Sequence, residues 1–318
     1  MLYELLKIPA KFALQIYCRR LSINNKTLLQ HEGPLLIAAN HPNSFLDAII
    51  LATIFKKPVY SLVRGDVYKN NFYASMLNAL NMMPVYRISE GAENLGQNYG
   101  TFDRCREIFK RNGIVLIFSE GRCINEWKLR PLKKGTARLA ISSWEEGINL
   151  QILPTGINYQ SFTSFGKNIQ LNFGNIIRKE DFITTNGYGN TINEFNKKLE
   201  SELNKLVLTF DKNNRPAIKK QFDVPISSVK KALLFLPAIA GYLLHFPLYW
   251  PVQRFSWSKA SHNDHYDSVM VGLLFVLYPF YLLLIVVLLW QWICYYSLVT
   301  LAVLPFTAWA YIQLKKQY

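Results

Sequence analysis

Short apolar runs alternate with helical patterns over residues 34–175, and this alternation sets the narrowest limit on the fold. The apolar runs cover residues 35–39, 59–63, 83–86, 114–118, 152–157 and 169–173. Apolar residues at helical spacing lie between them, over residues 45–55, 67–80, 94–111 and 134–146. Strands that alternate with helices in this way form a largely parallel sheet with helices on its faces. The sequence therefore predicts an α/β sandwich with a largely parallel sheet.

Polar side chains follow three of these predicted strands, at the point where each strand ends. His41 follows the first run, Arg87 follows the third, and Glu120, Gly121 and Arg122 follow the fourth. In open α/β sheets, ligands bind beyond the carboxyl ends of the strands. We therefore expect these residues to share one rim of the sheet and to form a binding site there.

His41 and Asp47 are the candidates for catalysis. Asp47 lies six residues after His41, in the first turn of a predicted helix that Asn43 or Ser44 can cap. A carboxylate that accepts the proton on one imidazole nitrogen leaves the other nitrogen free to act as a general base. A structural histidine beside a helix-capping aspartate explains the same pair, so the spacing alone leaves both interpretations open.

Two further stretches admit more than one interpretation. Four cations lie between Arg130 and Arg138, around the start of a predicted helix, where they suit either an anion site that includes Lys134 or a solvated basic loop. Pro154 lies inside a predicted strand, which favours an edge strand or a bulge for that segment.

The end of the chain has a different composition, because residues 231–318 are overwhelmingly apolar. Three apolar segments, at 232–250, 269–290 and 292–314, each approach the roughly 20 residues that a membrane-spanning helix needs. The last two segments meet with almost no loop and predict a tight helical hairpin. We expect two or three transmembrane helices, with the first segment, which contains Pro237 and Pro247, spanning, re-entrant or interfacial.

Charge and cysteine content narrow the partners and the compartment. The net charge is +15, and most of the excess lies in the first 230 residues, which favours anionic partners. The apolar end favours lipid over nucleic acid, and no aromatic-flanked basic stripe supports the latter. Four scattered cysteines indicate a reducing compartment. Lysine pairs at 230–231 and 315–316 favour an even number of crossings, with both pairs on the cytoplasmic side.

Two shorter segments complete the predicted organisation. Residues 1–25 have the pattern of an amphipathic helix, which can lie on a membrane surface or pack on the protein's own sheet. His262 and His265, with Asp264 and Asp267, have the composition of a metal site, although a polar loop between helices explains them better.

Four of these stretches, in this order, resemble the sequence blocks of the glycerolipid acyltransferases, the superfamily that includes bacterial lysophosphatidate acyltransferase. The matching residues are Asn40-His41 with Asp47, Met83-Pro84-Val85-Tyr86-Arg87, Phe118-Ser119-Glu120-Gly121 with its continuation Leu132-Lys133-Lys134-Gly135, and Leu153-Pro154-Thr155-Gly156-Ile157. The resemblance covers about residues 34–160. Five residues separate His41 from Asp47 where the family has four, and Ser119 stands where the family has proline. These differences bear on the acceptor more than on the chemistry.

The resemblance implies a role for each site residue. His41 would be the general base and Asp47 its orienting partner, with backbone N–H groups near the following helix start stabilising the oxyanion. The residues that would bind substrate are Arg87, Glu120, Gly121, Arg122, Lys134 and, for the acyl donor, Pro154. No metal, no cofactor beyond the acyl donor, and no serine or cysteine nucleophile is implied.

The implied protein is a multi-pass membrane enzyme with its catalytic domain on the cytoplasmic side. It would transfer a fatty acyl group from acyl-CoA or acyl-carrier protein to 1-acylglycerol 3-phosphate, giving phosphatidic acid. Glycerol 3-phosphate or a lyso-aminolipid is the alternative acceptor, and a non-catalytic lipid-binding membrane protein of the same fold is the alternative class. We expect an interfacial helix at 1–25, an acyltransferase domain at 26–212, a basic linker at 213–231 and transmembrane helices at 232–318.

Overall fold

The computed structural model describes residues 2–86, 97–182, 187–211 and 213–316. The strands are β1 (Cys18–Ile23), β2 (Leu35–Ala39), β3 (Val59–Arg64), β4 (Met82–Val85), β5 (Ile114–Phe118), β6 (Gln151–Tyr159) and β7 (Lys167–Phe173). The α-helices are α1 (Leu2–Tyr17), α2 (Ser44–Ile54), α3 (Asn71–Ala79), α4 (Gln97–Lys110), α5 (Gly135–Glu145), α6 (Tyr188–Leu206), α7 (Arg215–Phe222), α8 (Ser228–Ala260), α9 (Tyr266–Ile293) and α10 (Thr300–Leu314).

One seven-stranded sheet carries the fold, in the order β1-β7-β6-β2-β5-β3-β4. All neighbouring strands in it are parallel except β6 and β7, which pair antiparallel. The prediction of an α/β fold with a largely parallel sheet is therefore confirmed.

The central strand β2 shows why this sequence forms such a sheet. Every residue from Leu35 to Ala39 is fully buried, because helices cover both faces. Leu35 and Ile37 face the core layer under α1 and α2, whereas Leu36 and Ala38 face the layer under α4, α5 and α6. Successive side chains of a strand point to opposite faces, so one apolar run serves both layers.

One local prediction was wrong. Residues 18–23, expected within the N-terminal amphipathic helix, form the edge strand β1, which pairs with β7. Of the two alternatives for Pro154, the edge strand is excluded, since β6 is flanked by β2 and β7, whereas the bulge agrees with the irregular pairing between Thr155–Phe173 and Ile152–Ile177. A proline is tolerated there because regular pairing with β7 begins only at Thr155, and Pro154 serves as an acceptor for the N–H of Gly174.

Helix α1 packs on the domain with one face and exposes apolar side chains on the other. The hydroxyl of Tyr3 donates to the carbonyl of Ala52 in α2 at 2.9 Å, and Leu14 is part of the core. Leu5, Ile8 and Phe12 are between 64% and 69% exposed. Helix α1 thus packs on the protein's own domain with one face, and contact of the exposed face with a membrane stays a prediction.

The segment that was predicted as a linker, 213–231, contains the helix α7. Ile218 and Phe222 of α7 are buried, and the carbonyl of Phe222 accepts from Asn168 of β7 at 2.9 Å. This part of the chain therefore packs on the α/β domain instead of separating it from the apolar helices.

Two stretches of the C-terminal region are long and apolar enough to cross a membrane, 228–260 and 266–314, among the described residues. A short 3₁₀ turn at Cys294–Val299 separates α9 from α10 within the second stretch. Gly241 of α8 lies so close to the carbonyl of Thr307 in α10 that a Cβ atom there would clash.

Contacts near both ends of α8 link it to the α/β domain, indirectly through α10 at its start and through Asp264 just after its end. Near its start, Lys230 donates to Gln313 at 2.7 Å, and the amide of Gln313 donates to the carbonyl of Arg19 in β1 at 3.3 Å. Just after its end, Asp264 accepts from the backbone N–H of Asn125 at 2.9 Å. An apolar cavity of about 670 Å³ lies between α1, α8, α9 and α10.

Candidate active site

The loop between β2 and α2 presents His41 at the carboxyl edge of the sheet. Asn40, the residue before it, is buried and makes two hydrogen bonds with the backbone of Ile157 in β6, at 3.1 and 2.7 Å. The side chain of Asn40 therefore replaces a strand-to-strand backbone pair and fixes where the loop leaves the sheet.

His41 and Asp47 are in contact, with 2.8 Å between His41 Nδ1 and Asp47 Oδ2. The same carboxylate oxygen accepts from the backbone N–H of Asn43 at 2.8 Å, and Asp47 Oδ1 accepts from the hydroxyl of Tyr159 at 2.7 Å. Asp47 is fully buried. Because an ionised carboxylate only accepts hydrogen bonds, this arrangement assigns the proton of the neutral imidazole to Nδ1.

The imidazole ring of His41 is held flat and remains accessible. It stacks on the ring of Phe118 with 3.8 Å between centroids and an interplanar angle of 9°. Its side chain is 15% exposed, and no group of the described part of the chain bonds Nε2. In the neutral imidazole, Nε2 is therefore a fixed acceptor that a substrate hydroxyl can approach, which is the geometry of a general base.

Glu120 connects two loops of the site by hydrogen bonds. Its Oε2 accepts from the backbone N–H of His41 and its Oε1 from that of Arg130, each at 2.8 Å. Burial raises the pKa of this carboxyl group, while the two backbone donors act in the opposite direction. Both oxygens are thus occupied by the protein, so the geometry favours a positioning role over the direct substrate contact that we expected.

The other predicted binding residues differ in exposure. Gly121 has a φ of +67°, which glycine adopts without strain. Arg122 is exposed and has no partner within the described ranges, and Lys134 is exposed at the start of α5. Pro154 is buried inside β6. Arg87 lies outside the described residues.

Three of the backbone N–H groups near the start of α2, which we expected among the oxyanion donors, are occupied by other acceptors. The N–H of Asn43 is taken by Asp47, that of Ser44 by the Sγ of Cys123 at 2.9 Å, and that of Phe45 by Ser268 at 3.1 Å. Burial also raises the pKa of the Cys123 thiol well above its usual range, which keeps it protonated near neutral pH.

Sequence reasoning missed the contribution of the segment between the two long apolar helices. His265 Nδ1 lies 2.7 Å from Ser44 Oγ, and Asp264 and Ser268 bond the loops around His41. Desolvation lowers the pKa of His265. The His262–Asp267 stretch was the only signal for this contact. It forms no cluster of three potential metal ligands, nor does any other group of described residues.

The known proteins to which this chain is similar are acyltransferases. The acyltransferase family model matches residues 20–158. The crystal structure of the 1-acyl-sn-glycerophosphate (LPA) acyltransferase PlsC from Thermotoga maritima is similar over 70% of this chain and 81% of that chain, with 14% identity and a TM-score of 0.45. No curated protein sequence matches the chain. The four sequence blocks lie within the matched range, so residues 20–158 are similar to the acyltransferase family that these blocks indicated.

Proposed function

We propose that this protein is a membrane-associated O-acyltransferase that moves a fatty acyl group from a thioester donor to the hydroxyl of 1-acylglycerol 3-phosphate. The observation that carries the proposal is the accessible Nε2 of His41 on a ring that Asp47 and Phe118 hold in place. An alcohol is a weak nucleophile near neutral pH, and a fixed base beside it is what acyl transfer to an alcohol requires.

In the proposed reaction, His41 Nε2 removes the proton of the acceptor hydroxyl as its oxygen attacks the thioester carbonyl. The imidazolium that forms is stabilised by the buried carboxylate of Asp47. It then returns its proton to the thiolate as the carbon–sulfur bond breaks, so the products are the ester and the free thiol. General base catalysis of this kind contributes roughly 10²–10⁴-fold. No acyl-enzyme is needed, and the protonated thiol of Cys123 supports that assignment.

Exposed cations near the histidine suit an anionic acceptor. The N–H of Ile124 donates to the carbonyl of His41 at 3.2 Å, so Arg122 belongs to a loop that lies against the catalytic loop. Lys133 lies over Gly121, within 3.0 Å of where a Cβ would be. A free guanidinium binds phosphate through two parallel hydrogen bonds. Arg122, Lys133 and Lys134 are therefore the proposed phosphate site, and Arg87 joins them through the family resemblance.

The exposed apolar surface supports a lipid partner. Aliphatic and aromatic side chains of α1, α8 and α9 are more than half exposed, among them Phe12, Leu236, Phe280 and Val287. Exposed apolar area on this scale marks a membrane or interaction surface. We also propose that the catalytic domain lies on the cytoplasmic side. The scattered cysteines suit a reducing compartment, and the two lysine pairs favour the cytoplasmic face of the membrane.

The contacts at both ends of α8 favour a helix that lies along the membrane. A helix whose two ends are both linked to one domain, here through Gln313 and through Asp264, does not cross a bilayer that has this domain on one side. Tyr281 of α9 donates to the carbonyl of Leu244, and the backbone of Thr307 in α10 lies against Gly241, so residues 282–306 lie beyond these contacts. Residues 282–293 extend about 18 Å as a helix, against roughly 30 Å of hydrocarbon. We propose that the end of α9 and the start of α10 enter the membrane together and return to the side from which they entered.

Cys294 provides the test of this topology. It is exposed and immediately follows α9, whereas Cys18 and Cys105 are buried. In sealed vesicles that enclose the catalytic domain, a membrane-impermeant maleimide added outside should leave Cys294 unlabelled. Labelling from outside would instead support two crossings.

The function is tested with purified protein in lipid nanodiscs, labelled acyl-CoA or acyl-carrier protein, and a panel of acceptors. The panel contains 1-acylglycerol 3-phosphate, glycerol 3-phosphate and a lyso-aminolipid, so that each alternative acceptor has its own product. We expect turnover by the wild type and loss of turnover by His41→Ala, with equal melting temperatures and vesicle binding. Membrane binding without turnover of any pair would support the non-catalytic lipid-binding alternative.

A further inference from the structure

Asp267, in the first turn of α9, is buried against the back of the catalytic loop. Its side chain is fully buried and receives hydrogen bonds from Tyr17 of α1, Lys167 of β7 and Asn43 of the loop. The bond from Asn43 Nδ2 to Asp267 Oδ2 measures 2.6 Å. One carboxylate of the C-terminal region thus joins three elements of the catalytic domain.

Asn43 links this carboxylate to the catalytic pair. Its backbone N–H donates to Asp47 Oδ2, the oxygen that also accepts from His41 Nδ1. Its Oδ1 is buried and has no partner within the described ranges, so Asp267 is what fixes the orientation of the amide group. Asn43 is therefore held from one side by Asp47 and from the other by Asp267.

Neighbouring residues of the same turn hold the start of α2. We call residues 264–268 the docking turn. His265 bonds the hydroxyl of Ser44, and Ser268 accepts from the N–H of Phe45 at 3.1 Å. The docking turn therefore supplies hydrogen-bond partners that the first turn of α2 lacks within its own helix.

The ion pair between Lys167 and Asp267 is not by itself an argument for stability. Both side chains are fully buried, and burial lowers the pKa of Lys167 while the carboxylate opposes that shift. Replacing a buried ion pair with apolar residues of similar volume is often neutral or stabilising. The informative contact is therefore the hydrogen bond to Asn43, which an apolar pair would not reproduce.

We propose that Asp267 is a positioning residue for the His41–Asp47 pair, so that the segment between the two long apolar helices completes the active site. The inference rests on the proposed acyl transfer. It assigns the C-terminal helices a part in catalysis, in addition to a place at the membrane.

The test compares two double variants that differ in one property. Lys167→Met/Asp267→Asn and Lys167→Met/Asp267→Leu both remove the ion pair without leaving a buried charge, but only the first retains an acceptor for Asn43. We expect the asparagine variant to keep kcat within about fivefold of wild type. The leucine variant should lose roughly tenfold to a hundredfold in kcat with KM unchanged, because small misplacements of catalytic groups have effects of that size.

Gln313→Leu is the matched control. It also breaks a buried contact between the C-terminal helices and the domain, but at the far end of α8 and away from His41. We expect a lower melting temperature and an unchanged kcat. If the leucine double variant does not fold, Asn43→Ala removes the same hydrogen bond from the loop side and should reduce kcat to the same extent.

Hydrogen exchange provides a readout that is independent of the reaction. Peptides covering residues 40–47 should exchange faster in the leucine variant than in the asparagine variant, with the rest of the sheet unchanged. Equal kcat and equal exchange in the two double variants would overturn the positioning role. If the wild type turned over no substrate, the proposed function would fail, and exchange alone would still decide whether Asp267 holds the loop.

Discussion

Asp47→Asn separates the charge of Asp47 from its orienting role. In the variant, the amide oxygen should occupy the Oδ2 position, since an amide nitrogen there would face the N–H of Asn43 donor to donor. The amide nitrogen then lies beside Tyr159, whose hydroxyl can accept as well as donate. His41 therefore keeps its tautomer and its orientation, and the main change is the loss of one negative charge.

The size of the effect follows from the geometry of the pair. Two unit charges about 4 Å apart interact by about 4 kcal/mol at an effective dielectric constant of about 20. If the proton is about half transferred in the transition state, about half of that energy, roughly 2 kcal/mol, is lost with the charge. Since about 1.4 kcal/mol corresponds to a tenfold rate change, we expect kcat to fall about 30-fold.

Asp47→Ala should have the larger effect. It also releases the imidazole of His41 and leaves the N–H of Asn43 and the hydroxyl of Tyr159 without an acceptor. We expect a loss that approaches that of His41→Ala, about 10²–10⁴-fold. Initial rates at saturating donor and acceptor, with melting temperatures as the folding control, measure both. Equal rates for the asparagine and alanine variants would refute the orientation argument, and wild-type activity in Asp47→Asn would refute the role of the charge.

Three further outcomes test other parts of the site and the fold. Arg122→Gln should raise KM for the phosphorylated acceptor about 10-fold or more with little change in kcat, because a hydrogen bond to a charged group is worth about 1.5–3 kcal/mol. Arg138→Gln, an exposed arginine on α5, is its control in the same steady-state assay. Because burial raises the pKa of the Cys123 thiol, iodoacetamide at pH 7 should leave activity intact. Inactivation should appear only when rising pH forms the thiolate, and mass spectrometry measures the labelling of Cys123. Leu36→Ala, at a fully buried position of β2, should lower the free energy of unfolding by about 2–5 kcal/mol in denaturant titrations.

The parts of the fold that were predicted correctly are those that local patterns specify. The apolar run of β2 is buried on both faces, and such a run predicts a buried strand without knowledge of the strands beside it. The same holds for the spacing of His41 and Asp47, because the loop and the first turn of α2 bring them together within seven residues.

The predictions were wrong or left open where distant neighbours decide the structure. Residues 18–23 form a strand because β7, about 150 residues later, offers an open edge. Pro154 lies in an interior strand because the chain beside it, near Gly174, is irregular just there. Neither partner is visible in the local pattern, which suggested a helix in one case and left an edge strand or a bulge open in the other.

The same limit applies to the active site, with a consequence for how the protein works. Tyr159 and Asp267 reach the catalytic loop from positions 112 and 224 residues away in sequence from the residues that they bond, so no spacing rule relates them to His41. Tyr159 donates to the buried carboxylate of Asp47, and Asp267 is itself a buried carboxylate that accepts from Asn43. An unpaired polar group costs the most free energy where it is buried away from water. A site built in this way is complete only when the apolar helices are in place. Release of the docking turn would therefore expose Asn43 and loosen the hold on Asp47 before it disturbed the sheet, and any acyl transfer should depend on the environment of these helices as well as on the catalytic domain.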